Sequence, residues 1–461
     1  MGGTEPWVAV SSIRGTTPSK HQSISPIPIW SRCSQGCVGR SIPDSYSLRN
    51  DLSAPGSNTI PASLDAPDGV RAILTRVAAR LQCTLIDYAE SIAEPTDHGY
   101  LRGYQLELRT AAGLPERRLV FVEPGLMTAL APDVLAIPVD GTNDIVAVWL
   151  YPSDPALPAL RTVTDVPSAS IVLANLGIPS VPTAVDVVSY RPGRRAVVRV
   201  DSPTQRLFLK VVEPGKAESI SERHELFRSS GLPVPRLLGW SPDGVVGMTG
   251  LPGIEAQSAV RLIRNHGAFL DQLEFLCTLL AAVPAVNTAR ASLFHRLDWY
   301  VDRLTERLPG HSERVVEVGR EIASRGKEGY DFEYTPVTIH GDLHLGQLFV
   351  DTDVPSDIAG ILDIDTAGVG DPADDAGAFY AHLIALGDSL DERPDSSGAE
   401  CYALAEAWLS RWRRNRNAGF DSRARAIAAT HLLGHALQPR SPDPLAASRR
   451  LLERAHSLVR A

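Results

Sequence analysis

The chain holds 461 residues, with 45 Lys and Arg against 54 Asp and Glu, a formal net charge of −9 and a hydrophobic share of 44%. That balance excludes a wholesale polyanion binder, because nucleic-acid affinity rests on clustered positive charge. At roughly 150 residues per domain the length predicts about three folding units, and no run of ~18 apolar residues is present to span a membrane.

The N-terminus lacks the basic-then-apolar order of a signal peptide. Five cysteines (Cys33, Cys37, Cys83, Cys277 and Cys401) are too sparse and odd in number for a disulfide framework. A cytoplasmic protein is expected. Residues 1–67 are rich in Ser, Pro and Gly without sustained apolar period, so a disordered tail is predicted there. Cys33 and Cys37 lie in that tail with no second Cys/His pair at finger spacing, and they read as incidental thiols.

From Val70 to Leu81 the apolar spacing predicts a helix, followed by a strand at Thr84–Tyr88. Tyr104–Arg109 alternates with period two and Arg118–Glu123 follows it across Ala111-Ala-Gly-Leu-Pro115, a hairpin signature. Ile145–Leu150 reads as a strand and Ser168–Leu176 as a helix, completing an α+β unit over 68–180 with no chemical motif of its own. Over 181–253 the pattern predicts three strands, a short helix from Ala217 to about Ser229, and two more strands. The rest, 254–461, is mainly helical, with helices expected near 399–415, 423–437 and 445–458.

One interruption of that helical region carries the chemistry. Strands at Val337–Ile339, Leu348–Val350 and Ile358–Leu362 are separated by polar loops. The first loop holds His340-Gly-Asp342-Leu-His344-Leu-Gly-Gln347, and the second opens on Asp363-Ile-Asp365 and runs to Gly370-Asp371-Pro-Ala-Asp374-Asp375. Neighbouring strand ends bring Asp342, Gln347 and Asp363 within reach of one another, and such oxygen donors suit Mg²⁺ holding nucleotide phosphates. Phosphoryl transfer needs a base, metal ligands and a lysine on the phosphates. Lys210 is the candidate lysine, a solitary charge in the apolar strand Leu207–Val212. Glu218, Glu222 and Glu225 share one face of the following helix, and Glu222 is expected to orient Lys210.

His340-Gly-Asp342-x₄-Gln347, then Leu362-Asp363, then Gly370-Asp371-Pro372 with Asp375, resembles the aminoglycoside phosphotransferase/choline kinase group of protein-kinase-like folds. The form with His344 and Gln347 is similar to the maltokinase and glucosamine kinase branch, which has an extra N-terminal domain. The resemblance implies an α+β, bilobal protein-kinase-like fold, with a small antiparallel N-lobe at 181–253 and a mainly helical C-lobe at 254–461. An N-terminal α+β cap would occupy 68–180. It implies ATP and Mg²⁺ as cofactors, Asp342 as catalytic base, and Gln347 and Asp363 as metal ligands. Lys210 would meet the phosphates beside the Arg194 turn, and Met248–Leu251 would reach the adenine. Asp375 would brace the catalytic loop, with His340, His344, Asp365 and Asp371 in supporting places. The partner is a small-molecule acceptor, most plausibly a sugar, amino sugar or aminoglycoside-like compound, with no nucleic acid and no membrane.

Two departures stand out: the turn Tyr190-Arg-Pro-Gly-Arg194 has one glycine, and Ile364-Asp365-Thr366 replaces the Phe-Glu pair of maltokinases. Asp365 and Asp374 read equally as solvated loop charges. His431 and His435 stand at i, i+4, but without a third ligand a packed or solvated helix face is expected. A catalytically weak nucleotide-binding module is the alternative. A metallophosphoesterase is disfavoured because its later Gly-Asn-His block is missing, and a protein kinase because the His-Arg-Asp and Asp-Phe-Gly tripeptides are.

Overall fold

The computed structural model describes residues 67–96, 99–124, 133–139, 145–285, 287–393, 396–439 and 441–461. The expected N-terminal tail, Cys33 and Cys37 included, falls outside them apart from Pro67. The described residues form two compact units, 67–217 with 239–247 and 218–238 with 248–461. Most strands expected of the small lobe fall in the same unit as residues 67–180. No helix among the described residues is long and apolar enough to cross a membrane. Cys83, Cys277 and Cys401 are free thiols.

The first unit opens with α1 (Pro67–Arg80), whose Val70, Ile73, Leu74 and Val77 recur at helical spacing and are buried. They pack against alternate residues of an antiparallel sheet, including Tyr104, Leu106 and Leu108. Its strands are β1 (Cys83–Thr96), β2 (Gly99–Thr110), β3 (Pro115–Pro124), β4 (Leu135–Pro138) and β5 (Ile145–Leu150), in the order β1-β2-β3-β5-β4. The anticipated hairpin is β2–β3, with Arg109 opposite Pro115 and Gly113 turning the chain at φ 78°.

Helix α2 (Val166–Asn175) leads to a second antiparallel sheet. It comprises β6 (Ala184–Arg191), β7 (Arg195–Asp201), β8 (Arg206–Val212), β9 (Leu237–Ser241) and β10 (Val245–Thr249), ordered β6-β7-β8-β10-β9. A single buried carboxylate ties the turn between β6 and β7 to the segment before α2. Asp154 Oδ2 accepts from the Gly193 N–H (2.7 Å) and the Tyr190 hydroxyl (2.8 Å), while Oδ1 accepts from the Ala156 N–H (2.9 Å).

The second unit begins within α3 (Lys216–Ser229), the helix expected between the strands of the small lobe. It continues through β11 (Ile254–Glu255), α4 (His266–Ala282), α5 (Leu297–Arg307) and α6 (Ser312–Tyr330). Four short strands follow, β12 (Val337–Ile339), β13 (Leu348–Val350), β14 (Ile358–Ile361) and β15 (Gly368–Gly370), then the long helix α7 (Pro372–Asp391). The chain closes with α8 (Ala399–Asn415), α9 (Ala418–Leu437) and α10 (Pro444–Arg460). Helix α9 starts five residues before the apolar pattern suggests, because Asn417 caps it by accepting from the Phe420 N–H (2.8 Å). Its first turns bury Arg423 and Arg425, whose charges hide the helical period. The order of an antiparallel sheet followed by helices around two short hairpin-like pairs is that expected of a protein-kinase-like α+β fold.

Replacing Asp154 by Ala leaves the buried Tyr190 hydroxyl and the Gly193 N–H without their acceptor. Urea unfolding should show a loss of about 2–4 kcal/mol, and Tyr190→Phe a loss of about 1 kcal/mol. Equal stability for Asp154→Ala and the parent protein would mean that water replaces the carboxylate without cost.

Candidate active site

Short strands position the loop chemistry in the second unit. Antiparallel pairing puts Leu348 opposite Ile361, and the Leu362 N–H donates to the Gln347 carbonyl (2.8 Å). Residue 347 therefore stands across from 362, one step from Asp363. Asp363 occupies the left-handed region at φ 54°, ψ 42°. A non-glycine residue held there stores local strain of the kind concentrated at functional sites.

The loop bearing Asp342 is joined to this hairpin by His340. The His340 Nδ1 accepts from the Asp342 N–H (3.3 Å), which leaves the proton on Nε2, and Nε2 lies 2.8 Å from the Leu362 carbonyl oxygen as donor. From the other side, Asp375 near the start of α7 accepts from the N–H groups of His340 and Gly341, both at 2.8 Å. Thr366 Oγ1 donates to the His340 carbonyl (2.9 Å). Gly341 has φ +79°, and a Cβ there would lie 2.7 Å from the Thr366 carbonyl oxygen, so glycine is required at this crossing.

His344 is half-buried, and its Nδ1 accepts from the Gly346 N–H (3.0 Å). Its Nε2 then carries the proton and lies 3.2 Å from the Gln347 side-chain nitrogen, so hydrogen bonding requires the amide turned over, with its oxygen towards the ring. A carbonyl oxygen has a second lone pair, so this bond orients Gln347 while leaving it able to ligate a cation. Gln347 and Asp363 offer an amide and a carboxylate oxygen, donors that fit Mg²⁺.

Behind His344 lies a row of imidazoles that sequence spacing did not assemble. The His344 ring stacks on His382 of α7 at 4.5 Å between centroids, and His382 meets His431 and His435 of α9 at 5.7 and 4.6 Å. His431 and His435 are thus a packed inner face. Burial pushes the pKa of His344, His382 and His431 below the ordinary histidine range, and the nearby Arg290 charge adds to this. These rings stay neutral at physiological pH.

Asp371 caps α7, accepting from the Ala373 N–H (3.0 Å), and forms a buried ion pair with Arg423 (2.6 Å). Asp365 and Asp374 are not solvated charges. The Asp365 carbonyl accepts from Arg223, and its carboxylate lies 3.9 Å from the buried His224. Burial raises the Asp374 carboxyl to about 7, and the charges of Asp371 and Asp375 push the same way.

Met248 is buried, and Leu251 packs on Gly360, where a Cβ would come within 2.7 Å of its side chain. In the first unit, Lys210 is 7% exposed and stands opposite Val197 in β7, while the Arg194 N–H closes the turn on the Arg191 carbonyl (3.0 Å). Glu218, Glu222 and Glu225 are exposed, and the buried face of α3 is Ala217, Ser221, His224 and Phe227. The acidic stripe is a solvated face, so the expected role of Glu222 beside a buried lysine gains no support from its burial.

Sequence reasoning missed Arg290, whose Nη1 lies 3.0 Å from Asp342 Oδ2. It sits in the run Thr288-Ala-Arg-Ala291, which has no signature. Only pairing reveals it: Thr288 bridges Val369 in parallel, and the Arg290 N–H donates to the Thr366 carbonyl (2.9 Å).

Residues 188–412, a little under half of the chain, match the family described as "Phosphotransferase enzyme family" (APH). No curated protein sequence matches significantly. Similar solved structures include a thermostable mutant of the aminoglycoside phosphotransferase APH(4)-Ia, at 14% identity and TM-score 0.43, covering 63% of this chain and 98% of that one. The GDP complex of aminoglycoside 2'-phosphotransferase-IIIa has 14% identity and TM-score 0.44, covering 63% and 97%. A choline/ethanolamine kinase family protein from Mesorhizobium loti has 16% identity and TM-score 0.43, covering 64% and 95%.

The Asp374→Asn variant tests the local electrostatics. A carboxyl whose folded pKa lies above its unfolded value costs nothing at low pH, and its penalty grows as pH rises from the unfolded pKa to the folded one. The melting temperature of the variant should therefore match the parent near pH 4 and exceed it near pH 8. A constant difference across that range would place Asp374 in a solvated setting.

Proposed function

We propose that this chain, whose residues 188–412 match a phosphotransferase family, is a small-molecule kinase that moves the γ-phosphoryl group of ATP to a hydroxyl of a sugar-like polyol. The observation that carries this reading is the convergence of two loops through His340. Its ring contacts the Asp342 N–H on one side and the Leu362 carbonyl, next to Asp363, on the other.

Asp342 is the base of the reading. As the acceptor oxygen forms its bond to the γ-phosphorus and the bond to the β-phosphate oxygen breaks, the acceptor's proton passes to the Asp342 carboxylate. Gln347 and Asp363 would hold Mg²⁺, which neutralises phosphate charge. His340 and Asp375 act by position, keeping the Asp342 backbone at a set distance from the hairpin. Lys210 and the Arg194 turn are proposed for the phosphates, and Met248–Leu251 for the adenine. The maltokinase and glucosamine kinase branch supplies the sugar class proposed for the acceptor, through the His344-x-x-Gln347 form of the loop.

A weakly catalytic nucleotide-binding module is the second reading. It is favoured by one observation, that the Gly193 N–H already donates to the buried Asp154 carboxylate.

Asp342→Asn separates the two. Under the kinase reading it lowers kcat by about 10³-fold or more while nucleotide affinity changes little. Asp363→Ala should remove Mg²⁺-dependent nucleotide binding, read by titration calorimetry with and without the metal. Parent-like turnover in Asp342→Asn would take the base role from Asp342, and unchanged Mg²⁺ dependence in Asp363→Ala would take the ligand role from Asp363.

A further inference from the structure

The ion pair between Arg290 and Asp342 is awkward for a base acting alone. Both side chains are 24% exposed, so the pair lies at the accessible edge of the loop and not in the core. A half-buried pair still reached by water is screened and adds only modest stability. A guanidinium held on a general base also competes with the acceptor proton for the same carboxylate. The chain nevertheless fixes Arg290 there by two backbone bonds to the β15 segment, Ala289 N–H to Val369 O (3.0 Å) and Arg290 N–H to Thr366 O (2.9 Å). The next guanidinium along this stretch, Arg296, lies over the Trp299 and Tyr300 rings at 4.6 and 5.7 Å.

We propose that Arg290 is an anion-binding residue of the acceptor site, and that the acceptor is a small polyol carrying a carboxylate or phosphate group near the hydroxyl that Asp342 takes up. The proposal rests on the phosphotransferase reading of Asp342. A guanidinium presents five N–H donors in a planar fork, so it can hold an incoming anion on one edge and release Asp342 from the other. The exchange replaces one carboxylate partner with another anion and conserves charge. It also frees the base only when the right substrate is present. A neutral sugar leaves Asp342 paired, and an ammonium group of an amino sugar meets Arg290 as a like charge.

The test uses the full chain with Mg²⁺-ATP and four probes: glucose, glucosamine, gluconate and glucose 6-phosphate. ADP formation is followed for each, and binding of each in the presence of a non-hydrolysable ATP analogue is measured by calorimetry. The parent protein should favour at least one anionic probe over glucose by about 10- to 100-fold in kcat/KM or affinity, the scale of a charge-assisted hydrogen bond. Gluconate against glucose 6-phosphate tells which anion fits. Arg290→Gln should bring that ratio towards one, and Arg290→Lys should keep part of it by retaining the charge without the fork. If both anionic probes fail to bind the parent protein, or if Arg290→Gln slows every acceptor equally, Arg290 merely positions the base and the proposal falls. Turnover of glucose or glucosamine alone would overturn the anion site while leaving the kinase reading intact. Anion binding without ADP formation from any probe would do the reverse.

Discussion

Two backbone N–H groups, those of His340 and Gly341, converge on the buried carboxylate of Asp375, and the loop geometry of the second unit depends on that convergence. A charged or strongly polar group with no water around it must find partners in the protein. Asp375 finds them in the chain that leads to Asp342, and so anchors the loop to the first turn of α7. The His340 ring then carries the constraint across to Leu362. Any shift of α7 would be felt by Asp342 and Asp363 together. Asp371, four residues before Asp375, fastens the same helix start to α9 through Arg423, whose Nη1 also donates to the Gly329 carbonyl at 3.0 Å. Breaking such a buried pair by removing one partner is far more damaging than never having had it.

The loops were legible because their chemistry is local. His340, Asp342, His344 and Gln347 lie within one short run, and apolar triplets on either side mark the strands that hold them. The same is true of the sheet in the first unit, where alternation in Tyr104–Arg109 and a glycine turn define a hairpin before any contact is known. The rest depends on long-range placement. Arg290 has no motif and reaches Asp342 only because Thr288 bridges Val369. Arg423 and Arg425 hid the start of α9, since a buried charge looks like a surface residue until its partner is known. Strands β11 and β15 are too short to show a period, and Gly368 serves β15 by close approach. A Cβ there would sit 2.5 Å from the Asn287 carbonyl oxygen.

The helix after β8 shows that which residues share a face and which way that face points are separate questions. Its boundaries follow from helical spacing, and its three glutamates do share a face. That face is exposed, and the side turned inward brings His224 towards Asp365 while Arg223 donates to the Asp365 carbonyl. Periodicity tells which residues travel together. Only burial tells which way they point.

The Asp154 anchor bears on how far this polypeptide can be shortened. Residues 67–180 have their own sheet and look detachable, and their lack of any chemical motif makes trimming to the matched family region attractive. A version beginning at Val181 would nevertheless discard the acceptor that holds the Gly193 amide and the Tyr190 phenol. The turn between β6 and β7 would be left to solvent at the place where an otherwise identical sheet is now pinned. The segment that carries Asp154 is therefore a structural dependency of the strands that follow it, and modular swapping at that seam would have to carry Asp154 along.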